Sequence, residues 1–359
     1  MNFSSDNAAA ASPRIIAALA AANEGPAVAY GADAQSERAA ARLSEIFERD
    51  CAVFLVATGT AANALALAAL TPPWGAVFCH EEAHIGEDEC GAPEFFSGGA
   101  KLVGIPGFAG KLTPHALSAA LRRFPRGVVH HVQSACLSLS QVTEAGTIYR
   151  LDEIAALSAT ARAAGLGVHM DGARFANALV ALGCTPAEMT WKAGVDILSF
   201  GATKNGALAC EAVIVFDRAK AEALPFLRKR AGHTWSKGRF LGAQMAAYLE
   251  GDHWLALARH ANAAAARLAA GLAALRGVRL AFPCQANEMF PILPRAAEAA
   301  LKAAGAHYYA WASRSFDPAT APQDGEAPLR LVTSFATTDA EIDQFVGVAR
   351  LAVANPPTA

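Results

Sequence analysis

Three short stretches of the chain hold residue types that could do chemistry together. S-F-G-A-T-K-N-G-A places Lys204 in a glycine-flanked turn directly after an apolar run, Val195 to Phe200. A lysine at the end of a strand among small residues can be partly desolvated and so react with a carbonyl carbon, although a solvated turn lysine would look the same. V-H-M-D-G-A-R closes another apolar run with His169, Asp171 and Arg174. Ligands bind at the C-terminal ends of strands in open α/β sheets, which makes these charges candidates for a site, with a structural Asp–Arg pair as the alternative. A-T-G-T-A-A-N, residues 57 to 63, puts Gly59 and Thr60 where a strand-like run meets a helical one. Backbone N–H groups at such a helix start suit a phosphate, but Gly and Thr also cap helices for purely structural reasons.

Each stretch alone is weak, and their combination is more specific. A phosphate cradle, an aspartate and a lysine 33 positions after it are the parts pyridoxal phosphate needs. The aspartate would keep the pyridinium nitrogen protonated, so that the ring can accept electrons from a substrate carbanion. A competing pattern is His80-Glu81-Glu82-Ala83-His84, which matches the H-E-x-x-H of zinc peptidases. It follows the strand-like run Ala76 to Cys79 with no amphipathic helix to carry it, and no third ligand stands out beyond Glu87, Asp88 and Glu89, so no metal is expected.

Elements that alternate must position these residues. Apolar runs at 51–56, 76–79, 101–105, 128–132, 166–170, 195–200 and 212–216 read as buried strands, and helical patterns at 36–50, 113–124, 150–164 and 217–230 fill several gaps. Such alternation predicts an α/β fold with a mostly parallel sheet covered on both faces. After about Arg239 the pattern becomes a long alanine-rich helical stretch, then apolar runs at 278–282, 286–293 and 329–334 and a closing helix after Thr338, which predicts a smaller C-terminal α+β domain. Thr320 to Pro328 has loop composition, and the P-P-T-A end reads as a frayed tail. The expected division is an N-terminal segment 1–25 joining the small domain, a large cofactor-binding domain 26–245 and a small domain 246–359.

Composition narrows the function classes. The 359 residues are 53% hydrophobic and 17% charged, with a net charge of −2, a sequence that buries a core rather than staying disordered. Apart from Arg228-Lys229-Arg230 there is no dense basic block, so nucleic acid is not the expected partner. Seven cysteines without a C-x-x-C pair read as reduced thiols in a cytoplasmic protein, and Asp6 ahead of any basic residue argues against a secretory signal. The long uncharged stretch from Cys51 to Cys79 is broken by Gly59, Pro72, Pro73 and Gly75, so it reads as strand, helix and strand rather than as a membrane span.

In its order of motifs the chain resembles the low-specificity L-threonine aldolases and the similar phenylserine aldolases, within the fold-type I pyridoxal phosphate enzymes. The motifs are F-S-S-D-N at 3–7, Y-G-A-D at 30–33, G-T-A-A-N at 59–63, A-H-I-G-E-D-E-C-G-A at 83–92, T-E-A-G-T-I-Y at 143–149, H-M-D-G-A-R at 169–174, T-K-N-G-A at 203–207 and L-R-L-V at 329–332. The resemblance implies a seven-stranded sheet, pyridoxal 5'-phosphate as cofactor, and cleavage of L-β-hydroxy-α-amino acids such as L-threonine, L-allo-threonine or phenylserine to glycine and an aldehyde. It implies Lys204 as the Schiff-base lysine, Asp171 on the pyridinium nitrogen, His84 stacked on the ring and Gly59 and Thr60 on the phosphate. Arg174 would lie near the ring hydroxyl and the substrate carboxylate, with Ser5 and Arg330 completing the carboxylate site and Glu89 near the substrate. The base that takes the hydroxyl proton is left open among His84, Glu89 and a bound water.

Members of that family assemble as dimers or tetramers with shared sites, so Tyr30 and the Arg228–Arg230 cluster are expected to reach a neighbouring subunit, with a solvated helix face as the cluster's other reading. A second histidine present in some threonine aldolases is missing from S-L-S-Q-V-T-E-A-G at 138–146, and His130 and His131, inside the apolar run at 128–132, read as structural. T-E-A-G-T and R-A-G-H-T-W-S-K-G-R-F at 230–240 look more like the phenylserine-aldolase branch, which favours bulkier β-substituents. The alternative function is a β-eliminating lyase, because the same cofactor supports several bond cleavages.

Overall fold

In the computed structural model, residues 1–354 are described. The P-P-T-A tail lies outside them. Seven strands form one sheet: β1 (Ala52–Val56), β2 (Gly75–His80), β3 (Lys101–Ile105), β4 (Gln133–Ser140), β5 (Gly167–Gly172), β6 (Ile197–Gly201) and β7 (Glu211–Val215). They lie in the order β1-β7-β6-β5-β4-β2-β3. β7 runs antiparallel to both β1 and β6, and every other pairing is parallel. The C-terminal ends of β1, β2, β4, β5 and β6 therefore share one edge with the start of β7. Residues in β2, β6 and β7 are buried throughout, as expected when helices cover both faces.

Helix Gly59–Leu70 packs against β1 and β4 to β7, and residues 61–67 of it are all buried. That is why its sequence, G-T-A-A-N-A-L-A-L-A-A-L, has almost no polar face. On the other face, Phe47, Phe175, Phe200 and Phe216 form a cluster of tilted and edge-on rings, with centroids 5.3 to 6.2 Å apart where they meet.

The expected strand at 128–132 is not a strand: the ladder starts at Gln133, and Val129 is 90% exposed. Gln133 folds the preceding segment into a turn, accepting from the Gly127 N–H at 2.8 Å and donating to the Val128 and His131 carbonyls at 3.1 and 3.0 Å. Gly127 takes a positive φ of 80° in that turn. His130 and His131 are accordingly exposed turn residues. The expected helix at 217–230 is split into a short 3₁₀ turn, Arg218–Ala221, and a helix, Leu224–Arg230, that starts afresh with Pro225 in its first turn.

The smaller unit is antiparallel: β8 (Arg279–Leu280), β9 (Glu288–Met289), β10 (Pro291–Pro294), β11 (Tyr309–Ala310) and β12 (Glu326–Val332), ordered β11-β12-β10-β8 with β9 on β12. β12 begins two residues before the end of the loop expected at 320–328, where Arg279 grips Glu326 at 2.5 and 2.8 Å. Helices Arg295–Ala303 and Asp339–Ala354 cover it.

The chain start joins this unit. Phe3 donates its N–H to His307, accepts from Val332 and sets its ring against Phe345. Helix Pro13–Ala22, still within 1–25, packs instead on helix Arg239–Leu249 of the large unit. That helix runs through positions 245 and 246 and ends at Leu249, whose side chain belongs to the large core. Helix His253–Ala273 then spans both cores, with Trp254 and Ala258 in the large one and Ala264 to Leu272 in the small one.

Candidate active site

A cavity of about 280 Å³ opens at the shared edge of the sheet. Its walls include Thr58, Gly59 and Thr60 after β1, His84 and Glu89 after β2, Glu144 after β4, Asp171 and Arg174 at β5, Thr203 and Lys204 after β6, and Glu211 at the start of β7. The three stretches read from the sequence thus converge.

Helix Gly59–Leu70 is capped by Thr58, whose hydroxyl accepts from the Ala61 N–H at 3.1 Å while its carbonyl accepts from Ala62. The Gly59 and Thr60 N–H groups remain for a ligand at the cavity wall. A Cβ added at Gly59 would meet no atom within 4 Å, so it would stand in the open cradle.

Lys204 sits in a 3₁₀ turn, Thr203–Asn205, closed by Gly206 at a φ of 112°. A side chain at 206 would also strike Leu257 at 2.9 Å, so both conformation and space require glycine. Among the described residues no ion pair or hydrogen bond engages the Lys204 amine. Glu211, buried beside it, accepts from the Ala202 N–H at 2.6 Å, and burial pushes its carboxyl up to about 7 against the opposing bonds from Thr203 and Ala202 and the charge of Lys204.

Asp171 is 5% exposed and is held by neutral donors, the Asn63 amide at 2.8 Å and the Ala173 N–H at 3.0 Å. Such a carboxylate faces the cavity ready for a cationic partner. Below it His169 lies between the Ser138 and Ser199 hydroxyls, at 2.9 and 3.0 Å, and burial lowers its imidazole to about 4, so it is neutral.

His84 begins a short helix, His84–Glu87, whereas His80 ends β2 with its ring nitrogens on the Gly107 carbonyl and the Glu82 N–H. The two histidines of the H-E-x-x-H pattern therefore do not share a helix face. The Nδ1 of His84 is 2.9 Å from Glu89 Oε1, and this bond raises the imidazole against the opposing effect of burial. Glu89 is itself raised, by burial first and by Asp171, while its bonds to His84 and Asn63 pull the other way.

Arg174 lines the cavity with its guanidinium fully engaged. It grips Asp6 through two bonds at 2.7 and 3.0 Å and stands 2.8 Å from Glu288. Burial works against the charge on Asp6, but Arg174 and Lys204 outweigh it and hold the carboxyl below its ordinary range. Arg330 donates to the other oxygen of Glu288 at 2.6 and 3.0 Å and does not reach the cavity wall. Ser5 also lies off the wall, its hydroxyl accepting from the Asn7 N–H, and it is Asn7 that lines the cavity. Tyr30 is 56% exposed outside its own chain's cavity, with the Lys229 amine 4.9 Å from its ring.

Sequence reasoning missed Asn63, Glu144, Glu211, Asp6 and Glu288. Asn63 carried a signal, since it stands one helical turn beyond Gly59 and must face the same side. Glu288 carried none, because its partners are 114 positions upstream and 42 downstream.

A free lysine, a buried aspartate held only by neutral donors and a glycine cradle on one sheet edge fit pyridoxal phosphate, and with this topology they define a fold-type I pyridoxal phosphate enzyme. The family model for β-eliminating lyases matches residues 2–292. The low specificity L-threonine aldolase of Pseudomonas aeruginosa is 48% identical over 308 residues, 86% of this chain and 88% of that protein. The threonine aldolase structure from Leishmania major superposes with a TM-score of 0.90 at 32% identity, covering 98% of this chain and 99% of that one. Serine palmitoyltransferase of Sphingomonas wittichii shares the fold alone, at a TM-score of 0.69 and 16% identity over 98% of this chain and 86% of that one. The chain belongs to the low-specificity L-threonine aldolase family.

Proposed function

We propose that this enzyme cleaves L-β-hydroxy-α-amino acids to glycine and an aldehyde, with Lys204, Asp171 and His84 as the groups that carry the reaction. The observation supporting this most directly is the pairing of an uncommitted lysine with a histidine whose Nδ1 is fixed by Glu89, both on one cavity. Pyridoxal phosphate, when bound, supplies the sink for the electron pair left on Cα as the Cα–Cβ bond breaks. Gly59 and Thr60 would hold its phosphate, Lys204 its carbonyl carbon and Asp171 its ring nitrogen.

The chain's own residues divide the remaining work. Lys204, in its turn at the cavity wall, would hold the cofactor's carbonyl carbon and, as a free amine, could carry a proton beside the substrate. With Nδ1 committed to Glu89, the other nitrogen of His84, Nε2, takes the proton of the β-hydroxyl, and Glu89 supports the imidazolium that results. Arg174 anchors the substrate end of the cavity, and Arg330 turns toward a substrate carboxylate by exchanging its bond to Glu288. Ser5 would join them from the chain start.

Tyr30 and the Arg228–Arg230 cluster serve a neighbouring subunit's site in a homodimer or homotetramer. Support comes from the exposed apolar surface beside them: Val28, Phe226 and Trp235 are 65, 77 and 38% exposed. We divide the chain near Leu249 rather than 245, into a large cofactor-binding unit and a small C-terminal one, and place the protein in the cytoplasm because its seven cysteines are free thiols. Among the described residues no helix is long and apolar enough to cross a membrane.

Product analysis tests the reaction. Incubation with L-allo-threonine or phenylserine should release glycine and the matching aldehyde in equal amounts. Ammonia with a keto acid would mean β-elimination instead.

A further inference from the structure

Asn63 is 2% exposed and donates both hydrogens of its amide, one to Glu89 Oε1 and one to Asp171 Oδ2, each at 2.8 Å. Glu89 Oε1 is the same atom that stands 2.9 Å from His84 Nδ1. One side chain therefore joins the carboxylate that holds the histidine to the carboxylate that would face the cofactor's ring nitrogen. Its carbonyl oxygen is buried and has no hydrogen-bond partner among the described residues, and neither does the second oxygen of Glu89. A residue selected for packing would not leave a buried polar atom unpaired while spending both donors on two acids.

Two buried carboxylates this close repel each other, and Asp171 does push Glu89 toward protonation. An amide between them, offering one N–H to each, lets both carry charge and fixes which oxygen each presents. We propose that Asn63 is a positioning residue for the reaction, binding Glu89 and Asp171 at once so that His84 and the ring nitrogen are set by one connected network. This rests on the roles assigned above to His84 and Asp171.

The charged groups facing the His84–Glu89 pair are Asp171 from the end of β5, Glu144 from the loop after β4 and Lys204 from the turn after β6. Asn63, from helix Gly59–Leu70, is the neutral group between them. Removing its N–H takes a hydrogen bond from an ionised acid. The state in which Glu89 is charged and His84 neutral suffers most, because in the protonated state the proton can move onto Glu89. The pair should then release its proton at higher pH.

The test is Asn63→Leu, which keeps the volume and removes the donors, in the pyridoxal phosphate-loaded enzyme. The acid limb of kcat/KM should move up by about one pH unit. The visible cofactor band should also titrate at a different pH from wild type, since Asp171 loses a donor as well. In a His84→Asn background the same substitution should still shift the band. Asn63→Asp, of equal size, replaces a donor by a third acid and should move the limb the same way, which keeps the test available if the leucine variant does not fold.

Lower turnover with an unmoved acid limb and an unmoved band in the variant would overturn the proposal and leave Asn63 a packing residue. Failure of the underlying assignment looks different. In that case wild type itself would show no aldehyde release, or His84→Asn would leave its pH profile unchanged.

Discussion

His84 is a stronger base than an ordinary imidazole because Glu89 holds its Nδ1, and it keeps a nitrogen free for the substrate. His84→Ala should therefore cost about 10²- to 10⁴-fold in kcat/KM, the usual weight of a general base. Retention of most of the turnover would move the role to Glu89 or a water. Glu89→Gln should act in a graded way. Losing the anion lowers the histidine's affinity for a proton, so the acid limb of the pH profile moves to lower pH while the fold is kept. Lys204 and Asp171 were legible at this scale because each lies in a local motif at a strand end, whereas His84 and Glu89 came from the family resemblance, Glu89 lying past the helix that follows β2. Asp6 and Glu288 were not, since the bonds that make them matter, to Arg174 and Arg330, join residues far apart in the chain. The same network explains why Arg330, expected at the substrate carboxylate, rests on Glu288 instead.

Elements determine which acids and bases are buried, and the two strands that flank β6 hold opposite cases. His169 in β5 has its pKa lowered from 6.5 to about 4, so the folded state resists a proton that the unfolded chain accepts. Its contribution is present above pH 6.5 and is lost as pH falls through 4, about 3 kcal/mol in all. Glu211, at the start of β7, is raised from 4.5 to about 7. Its contribution is present below pH 4.5 and is lost as pH rises through 7, again about 3 kcal/mol. The two slopes oppose each other in wild type, so each appears only in a variant. In urea unfolding followed across pH, Glu211→Gln should gain stability relative to wild type as pH rises from 5 to 8, because the glutamine keeps an acceptor for the Ala202 N–H. His169→Gln should instead lose less than wild type on acidification from pH 6.5 to 4.

The strand and helix pattern itself was largely readable, because parallel strands buried on both faces are written as continuous apolar runs. The run at 128–132 misled for a physical reason. Val128, Val129 and Val132 have strand chemistry, but the Gln133 side chain ties that segment into a turn, and no periodicity reports a side chain bonded to the backbone before it.

For the molecule as a whole, the topology does the convergent work. The chain returns five times to one edge of the sheet, after β1, β2, β4, β5 and β6, and each return leaves a residue on the same cavity. A segment of the small unit closes against one of these returns. Glu82, two residues before His84, accepts from the Ser313 hydroxyl at 3.0 Å and the Arg314 N–H at 2.6 Å, and Arg314 reaches Glu87 at 2.6 Å. The loop carrying the proposed base is thereby fixed to the second unit, which a reading of local sequence could not anticipate.

We propose that Lys204 and its surroundings hold pyridoxal phosphate for aldol cleavage. The measurement that tests it most directly is the visible absorption spectrum of the purified protein and of Lys204→Ala, before and after L-allo-threonine, with released acetaldehyde followed in parallel. The protein should be yellow, with a band that changes with substrate as acetaldehyde appears, and the lysine variant should have lost both the original band and the turnover. A protein that stays colourless after added pyridoxal phosphate, or a Lys204→Ala variant with wild-type turnover, would contradict it.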